Sequence, residues 1–124
     1  RAQRATEAAE AQLRGVLDAM ATLAWTARPD GYIDWYNAPW YAYTGATPEA
    51  MAGWGWERVH DPAARPAVTA RWQAAIAAGT PFEMTFPLRG ADGTFRPFLT
   101  RAVPVRDAEG RLVRWVGTNT DVSV

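Results

Sequence analysis

Residues 82–121 read FEMTFPLRGADGTFRPFLTRAVPVRDAEGRLVRWVGTNTD. Two short turn sequences, Gly90-Ala91-Asp92-Gly93 and Asp107-Ala108-Glu109-Gly110, divide this stretch into three β-type runs: Phe82–Arg89, Thr94–Arg106 and Arg111–Asp121. A parallel crossover needs a dozen or more residues, so runs joined this tightly are antiparallel neighbours. The spacing predicts a three-stranded meander, and the two faces of that sheet bear on function.

Alternation assigns the faces. Phe82, Met84, Phe86 and Leu88 share one side of the first run, opposite Glu83, Thr85 and Arg89. Pro87 lacks a ladder donor and suits an edge strand. Phe98, Thr100 and Ala102 alternate with Leu99, Arg101 and Val103; Trp115, Gly117 and Asn119 alternate with Arg114, Val116, Thr118 and Thr120. Thr100, Ala102, Gly117 and Asn119 are small or polar among bulky neighbours, which leaves room for a pocket against the covering helices. The competing expectation is that aromatics from those helices, such as Trp40, Tyr43 and Trp72, fill the room as ordinary core. Ile33, Trp35, Leu99, Val103 and Val116 fall on the other face, which then needs a cover of its own.

Upstream, Leu23–Arg28 and Tyr32–Tyr36 flank Pro29-Asp30-Gly31, turn chemistry for a hairpin. Asn37 with Pro39 marks a helix start, and Ala38–Thr44 stops at Gly45. Thr47-Pro48-Glu49 opens a short helix through Met51, ended by Gly53, and Trp54–His60 forms a further turn. Asp61-Pro62 begins a longer helix, Ala63–Ala78, with Val68, Trp72, Ala75 and Ile76 at helical spacing and Gly79 as its stop. Residues 1–22 are Ala-rich and helical by propensity. Their apolar positions Ala9, Leu13, Val16, Met20 and Leu23 fit either a coiled-coil seam or an amphipathic helix lying on its own domain.

Composition narrows the function. A chain of 124 residues with 48% hydrophobic side chains is one globular domain, and the missing initiator Met points to a part of a longer protein. Thirteen basic residues balance thirteen acidic ones, which argues against a nucleic-acid partner or direct contact with an anionic membrane. No cysteine is present, so disulfides, thiolate metal sites and cysteinyl-flavin chemistry are excluded; His60 is the sole histidine, so no His-rich metal site can form either. No paired carboxylates or phosphate-cradling glycine loop support an enzyme.

The element order and several local sequences resemble a PAS domain. The resemblance rests on Asp30-Gly31-Tyr32-Ile33 before Asn37, Tyr43-Thr44-Gly45, Trp56-Glu57-Arg58-Val59-His60, Phe86-Pro87-Leu88-Arg89 with Asp92-Gly93, Pro104-Val105-Arg106-Asp107, and Gly110 with Trp115-Val116-Gly117-Thr118-Asn119-Thr120-Asp121. It spans about residues 16–122 and is strongest to members found in bacterial sensor histidine kinases and diguanylate-cyclase regulators. It implies an α+β fold: a five-stranded antiparallel sheet in order 2-1-5-4-3, short helices and one long helix on one face, and a flanking N-terminal helix. Residues 1–22 would be a linker and dimerisation helix and residues 23–122 the sensory domain. Two departures stand out. Pro97 replaces a frequent Trp inside a central strand, which predicts a bulge or a distortion, and Asp61-Pro62 inverts the usual order, which predicts a helix start shifted by a residue.

The resemblance implies a non-enzymatic sensory module in the cytoplasm. It would bind a small molecule in its cleft and bias an attached histidine kinase, diguanylate cyclase or phosphodiesterase. The ligand-contacting set expected from the inner face and covering helices is Asn119, Trp115, Thr100, Phe98, Trp40, Tyr43, Trp72 and Met84. Trp25, Trp54 and Trp56 border the same cleft. The cofactor stays open between a small organic ligand and none. Asn119 matches a flavin-contacting amide of light-sensing relatives, whereas His60 matches a position used without haem, tying down the start of the long helix. The expected partners are a second copy, through the N-terminal helix and outer sheet face, and the covalently linked output domain. A ligand-free dimerisation module is the alternative.

Overall fold

A computed structural model describes residues 2–123, with side chains from residue 7 onward. Helix α1 (Ala2–Ala19) leads into the hairpin β1 (Leu23–Ala27) and β2 (Ile33–Tyr36). Helices α2 (Ala38–Thr44) and α3 (Pro48–Met51), a 3-10 turn (Gly55–Val59) and α4 (Arg65–Ala78) follow. The meander β3 (Phe82–Arg89), β4 (Phe95–Arg106) and β5 (Leu112–Asp121) completes one antiparallel sheet in the order β2-β1-β5-β4-β3. The α+β architecture is the one the resemblance implied. No described helix is long and apolar enough to cross a membrane.

Local chemistry accounts for most element ends. Asn37 caps α2 by accepting from the Trp40 amide at 3.1 Å, and Gly45 ends it at φ 68°, a left-handed conformation that favours glycine. Thr47 caps α3 in the same way. Helix α4 begins two residues later than predicted, because Asp61 is spent in a turn: its side chain accepts from the Ala63 amide and its carbonyl from those of Ala64 and Arg65.

The meander faces alternate as expected. Phe82, Phe86, Leu88, Phe98, Thr100, Ala102, Trp115 and Asn119 are all buried under α2, α3, the 3-10 turn and α4. Two expectations fail at bulges. Ile33 lies on the inner face, not beside Trp35 on the outer one. The β1–β2 register shifts between Thr26 and Ala27, Asp34 is the extra residue, and Ile33 therefore pairs with Ala27 on the core side. Conversely, Pro97 causes no bulge. It pairs with Pro87 in unbroken β3–β4 register, and its carbonyl accepts from Val122 on the β5 side. An antiparallel residue points both backbone groups the same way, so neither proline is asked for a β3–β4 hydrogen bond.

The outer face takes its cover from α1, but not along the predicted seam. Leu17 is buried, whereas Val16 is 57% exposed and Met20 lies past the helix end. The helix rests on the sheet through Glu10, Arg14 and Leu17. Glu10 pairs with Arg114 of β5 at 2.9 Å, and the Arg14 guanidinium lies 5.8 Å from the Trp35 ring centre. Polar partners on the sheet, rather than the apolar count of the helix, chose the buried side. Asn37, fully buried, locks the joint: it donates to the carbonyls of Leu17 and Thr22 while accepting from the amides of Ala24 and Trp40.

Candidate functional site

Between the inner sheet face and its helices lies a cavity of about 40 Å³. Each wall comes from a different element. The capped α2 turns Trp40 inward, the segment around the 3-10 turn supplies Trp56 and His60, and α4 supplies Val68 and Trp72. The sheet contributes Trp25, Ile33, Phe82, Phe86, Thr100 and Asn119. All of these side chains are buried.

Asn119 organises the sheet wall. Its Oδ1 accepts from Trp25 Nε1 at 2.9 Å, and its Nδ2 donates to Thr100 Oγ1 at 2.6 Å. Trp25 can lie flat there because residue 117 is glycine; a Cβ at Gly117 would fall 2.1 Å from Trp25 Cζ2. The room predicted beside the small inward residues is therefore largely filled by this indole. The remaining 40 Å³ holds about three waters. A porphyrin or isoalloxazine ring is far larger, so neither fits this conformation.

The opposite wall is different in kind. Trp40 Nε1, Trp56 Nε1 and His60 Nδ1 are buried and hydrogen-bond to no protein group among the described residues. Indole N–H is a donor only, and a buried donor without a partner costs about 1–3 kcal/mol. The His60 ring lies between Trp56 and Phe86, with centroids 4.8 and 4.9 Å away. Burial, with the Arg65 charge adding to it, pushes the His60 pKa down to about 4, so the imidazole is neutral at pH 7.

Four of the eight predicted contact residues, Asn119, Thr100, Trp40 and Trp72, meet at this cavity. Phe98 and Tyr43 do not reach it. They pack 4.9 Å apart and line an outer groove with Thr22, Leu23, Thr120 and Asp121, and Asn119 lines that groove too. Trp115 is fully buried against Trp72 and is not in the cavity wall, and Met84 is half-buried beside the core without lining it. Trp54 is 50% exposed and faces Tyr32, outside the cleft. His60 does not cap α4, whose first turn has no side-chain cap; its backbone instead bridges to Leu88. The contact set missed Trp25, Trp56 and His60, as well as the apolar Ile33, Val68, Phe82 and Phe86. The first two were legible only as aromatics near the cleft, and nothing local in the sequence orients their indole nitrogens.

Comparison with known proteins places these features. A family model described as the PAS fold matches residues 33–119. Over 121 residues the chain is 29% identical to the uncharacterized protein y4lL of Sinorhizobium fredii, covering 98% of this chain and 14% of that protein. Over 111 residues it is 30% identical to the peroxide stress-activated histidine kinase mak1 of Schizosaccharomyces pombe, covering 89% of this chain and 7% of the kinase. The chain thus spans a small fraction of both relatives. Among solved structures, a PAS domain from Colwellia psychrerythraea superposes with TM-score 0.71 at 18% identity, covering 90% of this chain and 94% of that one. The PAS domain of the fruit-fly ELK potassium channel gives TM-score 0.76 at 10% identity, covering 91% and 96%. At such identities the superpositions show a shared fold.

Proposed function

The chain belongs to the PAS-fold family, and we propose that it is a non-enzymatic, cytoplasmic sensory module of a larger bacterial signalling protein. It binds a small molecule in the inner cavity and biases an attached output domain, a histidine kinase or a cyclic-dinucleotide enzyme. Similarity to a histidine kinase supports the signalling context.

One observation carries the reading: Asn119 faces both ways. Its side chain forms the cavity wall through Trp25 and Thr100, while its carbonyl accepts from Thr22 Oγ1 at 2.8 Å, at the joint with α1. Thr22 also contacts Thr120 Oγ1, one residue from the end of β5. A ligand that alters the Asn119 hydrogen bonds thereby reaches the segments leaving both ends of the domain. Signalling follows if it binds two arrangements with different affinity. In the full-length protein, Asn119→Ala and Thr22→Val should each shift basal output while circular dichroism stays native. Wild-type output from both variants would refute the coupling.

A second reading, a ligand-free association module pairing two copies through α1 and the outer face, draws on exposed apolar residues. Val16, Val103 and Val105 are 57%, 49% and 37% exposed. Light scattering decides it: a monomer with residues 1–22 intact removes this reading.

A further inference from the structure

A second hollow, of about 330 Å³, lies on the surface between the hairpin turn, the segment around the 3-10 turn and α4. Asp30 comes from the first, Trp54, Trp56 and Glu57 from the second, and Trp72 and Gln73 from the third. Trp56 and Trp72 also line the inner cavity, so their indoles stand between the two spaces. We propose that this hollow binds an organic ammonium ion with a flat apolar body and a hydrogen-bond acceptor away from its charge. Such a site is distinct from the inner cavity that the sensory reading uses, and neither depends on the other.

Three features select that chemistry. The first is charge. Asp30 and Glu57 are the only ionisable side chains in the walls among the described residues. Neither carboxylate forms an ion pair there. Asp30 Oδ1 accepts from the Tyr32 amide at 3.0 Å, and Glu57 gives only its backbone carbonyl, to Arg65. Two uncompensated carboxylates beside apolar walls attract a cation and repel an anion. The second feature is the wall itself. Trp54 is 50% exposed and meets Tyr32 and Trp56 edge-on, with centroids 6.1 and 6.4 Å away. Indole is the ring that holds a cation best, and covering a half-exposed one removes apolar surface from water. The third is a donor without a partner. Trp72 is 5% exposed, and its Nε1 donates to no protein group among the described residues; solvent reaches it, unlike the nitrogens of Trp40 and Trp56. It sits beside Gly31 and Ile76, only 3.3 Å from where a Cβ at Gly31 would be, and Asp30 and Ile76 both line the hollow. An indole N–H can only donate, so the ligand must carry an acceptor at this end. Small-molecule sites span roughly 300–1,000 Å³, so a volume of about 330 Å³ suits a single-ring ligand.

The test gives one phenolic ring three charges. The ¹⁵N-labelled 124-residue chain is titrated with tyramine, its neutral alcohol analogue tyrosol and the anionic hydroxyphenylpropionate, and with phenethylamine, which keeps the ammonium but lacks the phenol oxygen. With tyramine the Trp54 and Trp72 Nε1–H signals, assigned by triple-resonance methods, should move saturably while that of Trp40, inside the domain, stays in place. Tyrosol should bind more weakly, and hydroxyphenylpropionate should not saturate. Phenethylamine should lose about two- to tenfold, the net effect of one neutral hydrogen bond. Asp30→Asn and Glu57→Gln, both conservative changes outside the core, should each weaken tyramine by about two- to fivefold, the range of an exposed ion pair, and added salt should weaken it further. Equal binding of tyrosol and tyramine, or full affinity in both variants, overturns the cation site. Phenethylamine binding as tightly as tyramine removes the acceptor from the ligand and Trp72 from its recognition. Tyramine that moves Trp40 instead of Trp54, or no indole signal at all, refutes the location. Unchanged output from Asn119→Ala would sink the sensory reading and leave this site standing.

Discussion

Gly117→Ala tests the packing that shapes the site. Gly117 has no positive φ, so the position needs glycine for space rather than for conformational freedom. An added Cβ would lie 2.1, 2.2 and 2.6 Å from three atoms of the Trp25 indole, each far inside contact distance. The ring must retreat by more than an ångström, yet it is held on two sides. Its Nε1 donates to Asn119, and it meets the Trp72 ring edge-on at 5.7 Å. Overpacking of this kind costs about 1–3 kcal/mol, and losing the buried hydrogen bond adds about 1 kcal/mol. Together they give about 2–4 kcal/mol, or a fall in Tm of roughly 10–20 °C for a domain of this size. Urea unfolding followed by tryptophan fluorescence measures it. Gly15→Ala is the control: nothing lies within 4 Å of its added Cβ, so this helical site should gain up to about 1 kcal/mol. A Gly117→Ala protein within about 0.5 kcal/mol of wild type, the usual range of a neutral surface change, would show that Trp25 does not lie over residue 117.

Two further outcomes follow from the same geometry. His60 ionises near pH 6.5 when unfolded but only near pH 4 when folded, so the unfolded chain binds the extra proton between those values. Stability is therefore full above pH 6.5 and declines by about 3 kcal/mol as pH falls to 4; His60→Phe should flatten that limb of a denaturation-versus-pH curve, and an unchanged slope would remove His60 as its cause. Asn37→Ala strands the Ala24 amide and the Thr22 carbonyl, while the Trp40 amide keeps the residue 37 carbonyl and the Leu17 carbonyl keeps the Met20 amide, at about 2–4 kcal/mol in total. Hydrogen exchange should show α1 and the start of α2 losing protection together, and protection confined to either one would argue against a shared clamp.

Much of this protein is written locally. Turns at 90–93 and 107–110, the Asn37 and Thr47 caps and the Gly45 stop act within a few residues of themselves, so strand and helix ends could be read from order alone. Two-residue alternation likewise sorted the meander into its buried and open sides, because a regular ladder carries that period without interruption. What escaped depended on distant partners. The Asp34 bulge reverses Ile33, the paired prolines share a register that spares the ladder, Glu10 meets Arg114 from the opposite end of the chain, and Arg14 reaches Trp35 across the hairpin. The site is of this second kind. Residue type alone disclosed an aromatic cleft around Asn119, but whether an indole nitrogen finds an acceptor or is buried without one is decided only when α2, the 3-10 turn and α4 close over the sheet.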